Sequence, residues 1–162
     1  MKSTDAITNL FNHHLWANLR LLESCQQLTR EQLQANLTGT YGSIQETLEH
    51  IIRAEKSYFS RISTGQPYRH PSGSKSMTIP ELMESARQTG LGLIEWAPKV
   101  QAGDVVEIDW DGTLRDVPKI VLLTQAINHA TEHRAQIMVI MTQLGVEPPS
   151  LDSWTYFDEL DQ

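Results

Sequence analysis

The segment that most constrains this fold runs from residue 122 to residue 144. Leu122, Ala126, His129, His133, Ile137, Ile140 and Leu144 recur at steps of three and four, the spacing of one face of an α-helix. A helix with that stripe has to turn it toward a core, and two imidazoles go with it. Their four-residue separation puts His129 and His133 one turn apart on one face, a span over which a first-row transition metal accepts two nitrogens. Burying two neutral imidazoles without partners costs about 1 to 3 kcal/mol each. A shared metal satisfies both, so a metal site is the first functional expectation.

The rest of the chain supplies helices to pack against this one. Ser3-Thr4-Asp5 offers N-cap chemistry, and Ile7, Leu10, Phe11, His14, Leu15, Asn18, Leu21 and Leu22 continue with helical period to about Leu28. Ser43-Ile44-Gln45-Glu46 reads as a capping box that opens a second helix, which stops near Gly65. Residues 65–77 hold Gly65, Pro67, Pro71, Gly73 and three serines, a surface connection long enough to cross a bundle from end to end. Thr78-Ile79-Pro80-Glu81 opens a third helix, weakened in the middle by Gly90 and Gly92. Between Pro98 and Pro118 the period becomes alternating, and Asp111-Gly112 between the two runs predicts a tight hairpin. Asp116 is expected to cap the last helix, with Pro118 in its first turn and Gly145 beyond its end. The expected fold is all-α: a four-helix bundle with a long crossover connection and a small β-hairpin or extended insert before the last helix.

A chain of 162 residues suits one domain, spanning residues 1–162. The net charge of −7 and the absence of a Lys/Arg cluster speak against a nucleic-acid partner, whose phosphates need a basic face. The single cysteine, Cys25, forms no internal disulfide and fits the reducing cytoplasm. No signal-peptide pattern opens the chain, and no stretch reaches the roughly 20 apolar residues of a membrane span.

A catalytic metal takes three protein ligands and keeps one position open. His50, beside the apolar stripe of the second helix, and His14, between Leu10 and Ala17 on the first, both qualify as the third ligand. His13 and His70 read as solvated.

Leu15-Trp16-Ala17-Asn18, Ser43-Ile44 with Leu48-Glu49-His50-Ile51, and Asn128-His129 with His133-Arg134-Ala135-Gln136-Ile137 together resemble the DinB/YfiT-like metal-binding four-helix bundles. The tail Leu144-Gly145-Val146-Glu147-Pro148-Pro149, with Leu151-Asp152 and the aromatic residues after it, extends the resemblance over nearly the whole chain. It implies that His50, His129 and His133 hold one divalent metal with coordination left open to water: zinc or nickel first, manganese or iron next. It implies no DNA binding, and relatives are often homodimers. Glu132 stands where many relatives carry a further histidine, so His129 to His133 formally reads H-x-x-E-H, the pattern in which inverted zinc peptidases place a general base. Such peptidases have other folds, and Glu132 is expected to face solvent or pair with a neighbour such as Arg134.

A metal held by neutral imidazoles keeps its charge and acidifies a bound thiol or water. Two reactions follow. The resemblance implies the first, attack of a low-molecular-weight thiol on an electrophilic small-molecule substrate, as in bacterial thiol S-transferases and thiol-dependent maleylpyruvate isomerases. The second is hydrolysis, for which Glu132 or Glu55 would have to serve as base. The transferase is the expected function, with a hydrolase or a non-catalytic metal-binding stress-response bundle as alternatives. Asn128 and Gln136 are candidate hydrogen-bond partners of the imidazoles, and Trp16, Trp96, Trp110 and Trp154 candidate pocket walls. The hairpin and the 65–77 connection are expected at pocket rims.

Overall fold

The computed structural model describes residues 5–69 and 75–160; His70 lies outside them. Among the described residues the chain forms six α-helices, α1 (Ala6–Cys25), α2 (Arg30–Leu33), α3 (Ile44–Thr64), α4 (Ile79–Trp96), α5 (Lys119–Gln143) and α6 (Ser153–Leu160), with β1 (Val105–Trp110) and β2 (Thr113–Pro118) inserted before α5.

The helix starts follow the capping residues. Asp5 caps α1 by accepting from the Thr8 amide at 2.9 Å, and Ser43 with Glu46 and Thr78 with Glu81 form reciprocal capping boxes on α3 and α4. α3 ends on Gly65, which takes a left-handed conformation (φ 72°) that side chains disfavour. Asp111 (φ 53°) and Gly112 (φ 84°) make the hairpin turn, the positive φ pair that matches strand twist.

Four expectations change. α1 ends at Cys25, three residues before Leu28. A second short helix, α2, starts at the Thr29/Gln32 capping box, and α6 adds a helix to the tail. Asp116 caps nothing: the second strand runs through Pro118 and pairs Asp116 with Glu107, so α5 begins behind Pro118 without a side-chain cap. Its first amide, on Lys119, donates instead to the Asp104 carbonyl at 2.8 Å.

α4 begins beside the first turns of α3, at the opposite end of that helix from Gly65. Gln45 in the first turn of α3 donates to the Met77 carbonyl at 2.7 Å, and Glu49 accepts from the Met77 amide at 3.1 Å and from the Ser76 hydroxyl. The two helices therefore start side by side and run parallel. α5 returns antiparallel to α3, with Lys119 Nζ donating to the Ile62 carbonyl at the far end of α3. α1 packs on α4 and α5, and α3 on α4 and α5.

The interior is split in two. Leu21, Leu22, Ile44, Ile51, Leu82 and Ile140 belong to one apolar cluster; Phe11, Ile62, Leu93, Val106, Leu122 and Ala126 belong to the other. Burying each large aliphatic side chain contributes about 1.5 to 3 kcal/mol. Between the clusters lies a buried polar layer of His14, Asn18, Glu55 and Arg134.

Gly90 and Gly92 do not interrupt α4, because each admits a neighbour. A Cβ at Gly90 would overlap Leu15 of α1, and one at Gly92 would overlap the Phe59 ring of α3. Gly92→Ala is therefore expected to destabilise the protein by about 1 to 3 kcal/mol through overpacking, in spite of the better helix propensity of alanine. Gly103→Ala, with open space around it, is the control. Urea unfolding of the two variants checks this, and equal midpoints would refute the packing account.

Candidate metal centre

His50 on α3 meets His129 and His133 on α5 across the seam between these helices. Their ring nitrogens all lie within 4.8 Å of one another, and the centroids are 4.6 Å apart for His50 and His129, 4.8 Å for His50 and His133, and 4.5 Å for His129 and His133. Nε2 of His129 and Nε2 of His50 approach to 2.8 Å. All three rings are half-buried.

Hydrogen bonding fixes the tautomer of His133. The Tyr41 backbone amide, a donor only, lies 3.1 Å from Gln136 Oε1, so that atom is the amide oxygen. His133 Nδ1 lies 3.0 Å from the same oxygen and must donate to it, which leaves the lone pair on Nε2. The Tyr41 side chain stacks on His50, centroids 4.0 Å apart and planes 18° apart, and meets His133 edge-on at 5.3 Å.

Burial, with the neighbouring imidazoles His133 and His50, lowers the His129 pKa to about 4, and burial with His133 lowers that of His50. These two rings are therefore neutral at pH 7. A cluster in which His50 and His129 resist protonation fits zinc, nickel and other borderline divalent ions.

The other candidates lie elsewhere. His14, the alternative third ligand, is only 1% exposed and holds Glu55 Oε2 through its Nε2 at 2.6 Å. Asn18 donates to the same oxygen at 2.9 Å and accepts from Arg134 at 2.7 Å. Glu55, considered as a base, is thus held inside the polar layer. Glu132 and Asn128 are exposed on α5, and Arg134 faces Asn18 and Thr131. Cys25 is buried, which pushes its thiol up to about 12 and removes it as a nucleophile.

His13 is not solvated. Its Nε2 contacts the Leu151 carbonyl at 2.9 Å, and its ring packs against Trp16 and Tyr156. Trp16 Nε1 donates to Glu159 at 2.8 Å, and Arg20 pairs with Glu159 at 2.7 Å. α6 therefore docks on a face of α1 that the i, i+3, i+7 spacing of His13, Trp16 and Arg20 could have revealed. Trp154 is 80% exposed.

One cleft opens against His50, and another lies beyond Tyr58, the neighbour of His129. A polar one of about 380 Å³ is lined by Tyr41, Glu46, Glu49, His50 and Arg53. Its rim residue Glu49 is the one that holds Ser76 and Met77 of the α3–α4 connection. A more apolar cleft of about 440 Å³ lies between α3, the hairpin and α5, and Trp110 forms part of its wall.

The folded-state pKa of His129 lies below the ordinary 6.5, so the unfolded chain binds more protons between these values and stability falls as pH drops through them. The metal-free protein is expected to lose stability from about pH 6.5 to about pH 4, and His129→Gln to lose less over the same window. Thermal unfolding of both at successive pH values checks this; parallel pH profiles would refute it.

Among the described residues, no helix is long and apolar enough to cross a membrane. Solved structures share the fold, two DinB-like proteins among them. A DinB-like protein of Bacillus subtilis superposes with a TM-score of 0.64 at 16% identity, over 91% of this chain and 99% of its own. One from Bacillus cereus gives 0.64 at 18% identity, over 89% and 94%. No curated protein matches the chain. The DinB family model matches residues 1–159, which is nearly the full length, and the chain belongs to the DinB family.

Proposed function

We propose that His50, His129 and His133 hold one divalent transition metal, zinc or nickel first and manganese or iron next, and that the chain is a metal-dependent enzyme. Its reaction is transfer of a low-molecular-weight thiol to an electrophilic small molecule. α1, α3, α4 and α5 form the four-helix bundle that carries the centre, with α2, the hairpin and α6 as additions. One observation carries the reading: three imidazoles converge, and among the described residues no carboxylate or thiol joins them as a fourth ligand. A structural site closes with four protein ligands, whereas a catalytic site leaves a position for substrate.

Bound there, a divalent cation would supply the charge that lowers the pKa of a thiol or a water in the open position. The protein does the rest. Neutral imidazoles leave that charge undiminished, Gln136 holds His133 in the tautomer that offers Nε2, and the Tyr41 ring covers one face of His50. Glu46, Glu49 and Arg53 give the cleft beside His50 charged groups that suit a polar thiol. Thiol transfer is favoured over hydrolysis because a thiolate needs no further base to attack. Hydrolysis needs a base at the water, and the two candidate carboxylates are exposed at Glu132 and tied to His14 and Asn18 at Glu55.

Metal content measured by mass spectrometry on untagged protein is the direct test. About one ion per chain is expected in wild type, with loss in His50→Ala, His129→Ala and His133→Ala. Gln136→Leu is expected to weaken metal affinity about 10- to 100-fold while the metal-free fold persists. Thiol consumption with an electrophile such as 1-chloro-2,4-dinitrobenzene then checks the reaction. A wild-type protein that takes up no divalent ion would overturn the metal reading, and a loaded protein that cleaves esters or amides but transfers no thiol would move it to hydrolysis.

A further inference from the structure

The hairpin sorts its side chains by face. Its register pairs Val106 with Val117, Ile108 with Arg115 and Trp110 with Thr113, and Glu107 with Asp116; partners directly opposite share a face. Val106 is buried in the same cluster as Ile62 and Leu122, and Ile108, Trp110 and Val117 line the cleft of about 440 Å³. The face turned to α3 and α5 is thus apolar and aromatic with Arg115 on it, while Glu107, Asp109 and Asp116 lie on the other face.

One arginine lines this apolar cleft, and a second lies against Trp110 in its wall. Arg61 of α3 lines the cleft, and among the described residues its hydrogen bonds go to Ser57 of its own helix, through one guanidinium nitrogen. Arg115 lies over the Trp110 ring, 5.5 Å from its centroid. Among the described residues neither forms an ion pair, in a chain whose net charge is −7. Trp110 is 55% exposed, a large aromatic face left to water beside the cleft. A guanidinium without an ion pair inside the cleft, next to a half-exposed indole that already carries a second guanidinium on its ring, complements a ligand with an aromatic body and a carboxylate.

We propose that the cleft between α3, the hairpin and α5 binds an aromatic carboxylate, with its ring against Trp110 and its carboxylate on Arg61. The volume suits such a ligand. Its inner wall is one side-chain layer from the histidines: Tyr58 meets the His129 ring edge-on at 6.0 Å, and Gln125 precedes His129 by one turn of α5. That this ligand is the electrophile consumed at the metal centre rests on the function proposed above. Its binding to the cleft does not.

Calorimetric titration of the full chain with 2-naphthoate, and with the neutral 2-naphthalenemethanol, tests the site. Saturable binding of the acid is expected, weakened about tenfold or more in Arg61→Gln and for the neutral alcohol, and less in Arg115→Gln. The Trp110 indole resonance, assigned with Trp110→Phe, should shift on adding the acid, and His50→Ala should bind it as wild type does. Unchanged helical circular dichroism in Arg61→Gln and Arg115→Gln separates lost binding from lost folding. Equal affinity for acid and alcohol, wild-type affinity in Arg61→Gln, or no saturable binding would overturn the proposal. A protein that binds naphthoate but no metal keeps the cleft and loses the metal centre; one that binds metal but no naphthoate does the reverse.

Discussion

The Glu55 carboxylate, buried between His14, Asn18 and Arg134, is the contact on which the arrangement of the helices depends. It belongs to α3, its partners His14 and Asn18 to α1, and Arg134, bonded to Asn18, to α5. Removing one member of a buried charged set leaves another uncompensated, at a cost of about 3 to 5 kcal/mol. A slide of one helix along another would do the same, so the layer fixes axial register where the apolar clusters on either side tolerate several packings. Burial moves the Arg134 pKa down to about 10, against the opposing pull of Glu55, so the guanidinium stays charged at neutral pH. Among the described residues, no protein group bonds to Nδ1 of His14.

The three histidines inherit their geometry from that register. Arg134 follows His133 directly in α5, and Glu55 lies five residues beyond His50 in α3. Holding these two helices at one height therefore holds His50 opposite His129 and His133. The remaining control is local: Gln136 orients His133 and Tyr41 covers His50. Nitrogens that already converge would reduce the ordering required if an ion bound there.

Around the centre the chain distributes its polarity unevenly. The cleft against His50 is lined by Glu46, Glu49 and Arg53, whereas the cleft beyond Tyr58 is walled by Ile108, Trp110 and Val117 with Arg61. A hairpin in the connection before α5 creates the second environment, because the helices alone would leave the Leu122 end of the α3–α5 seam open to water. Two unlike clefts, one against His50 and one beyond Tyr58, would suit the two-partner reaction proposed above.

The sequence by itself determined the long helices, their capped starts at Asp5, Ser43 and Thr78, the stop at Gly65 and the Asp111-Gly112 turn, because these depend on neighbours within a few residues. The four-residue step between His129 and His133 was legible for the same reason. Tertiary structure alone decided between His50 and His14 as their companion. Both lie on inward faces of helices with similar neighbours, and only the height at which α1, α3 and α5 pack sends His14 to Glu55 and His50 to His129. The end of α5 at the hairpin, the docking of α6 on His13 and Trp16, and the apolar cleft under Trp110 were equally hidden. Each depends on contacts between residues far apart in the chain, which a local pattern does not encode.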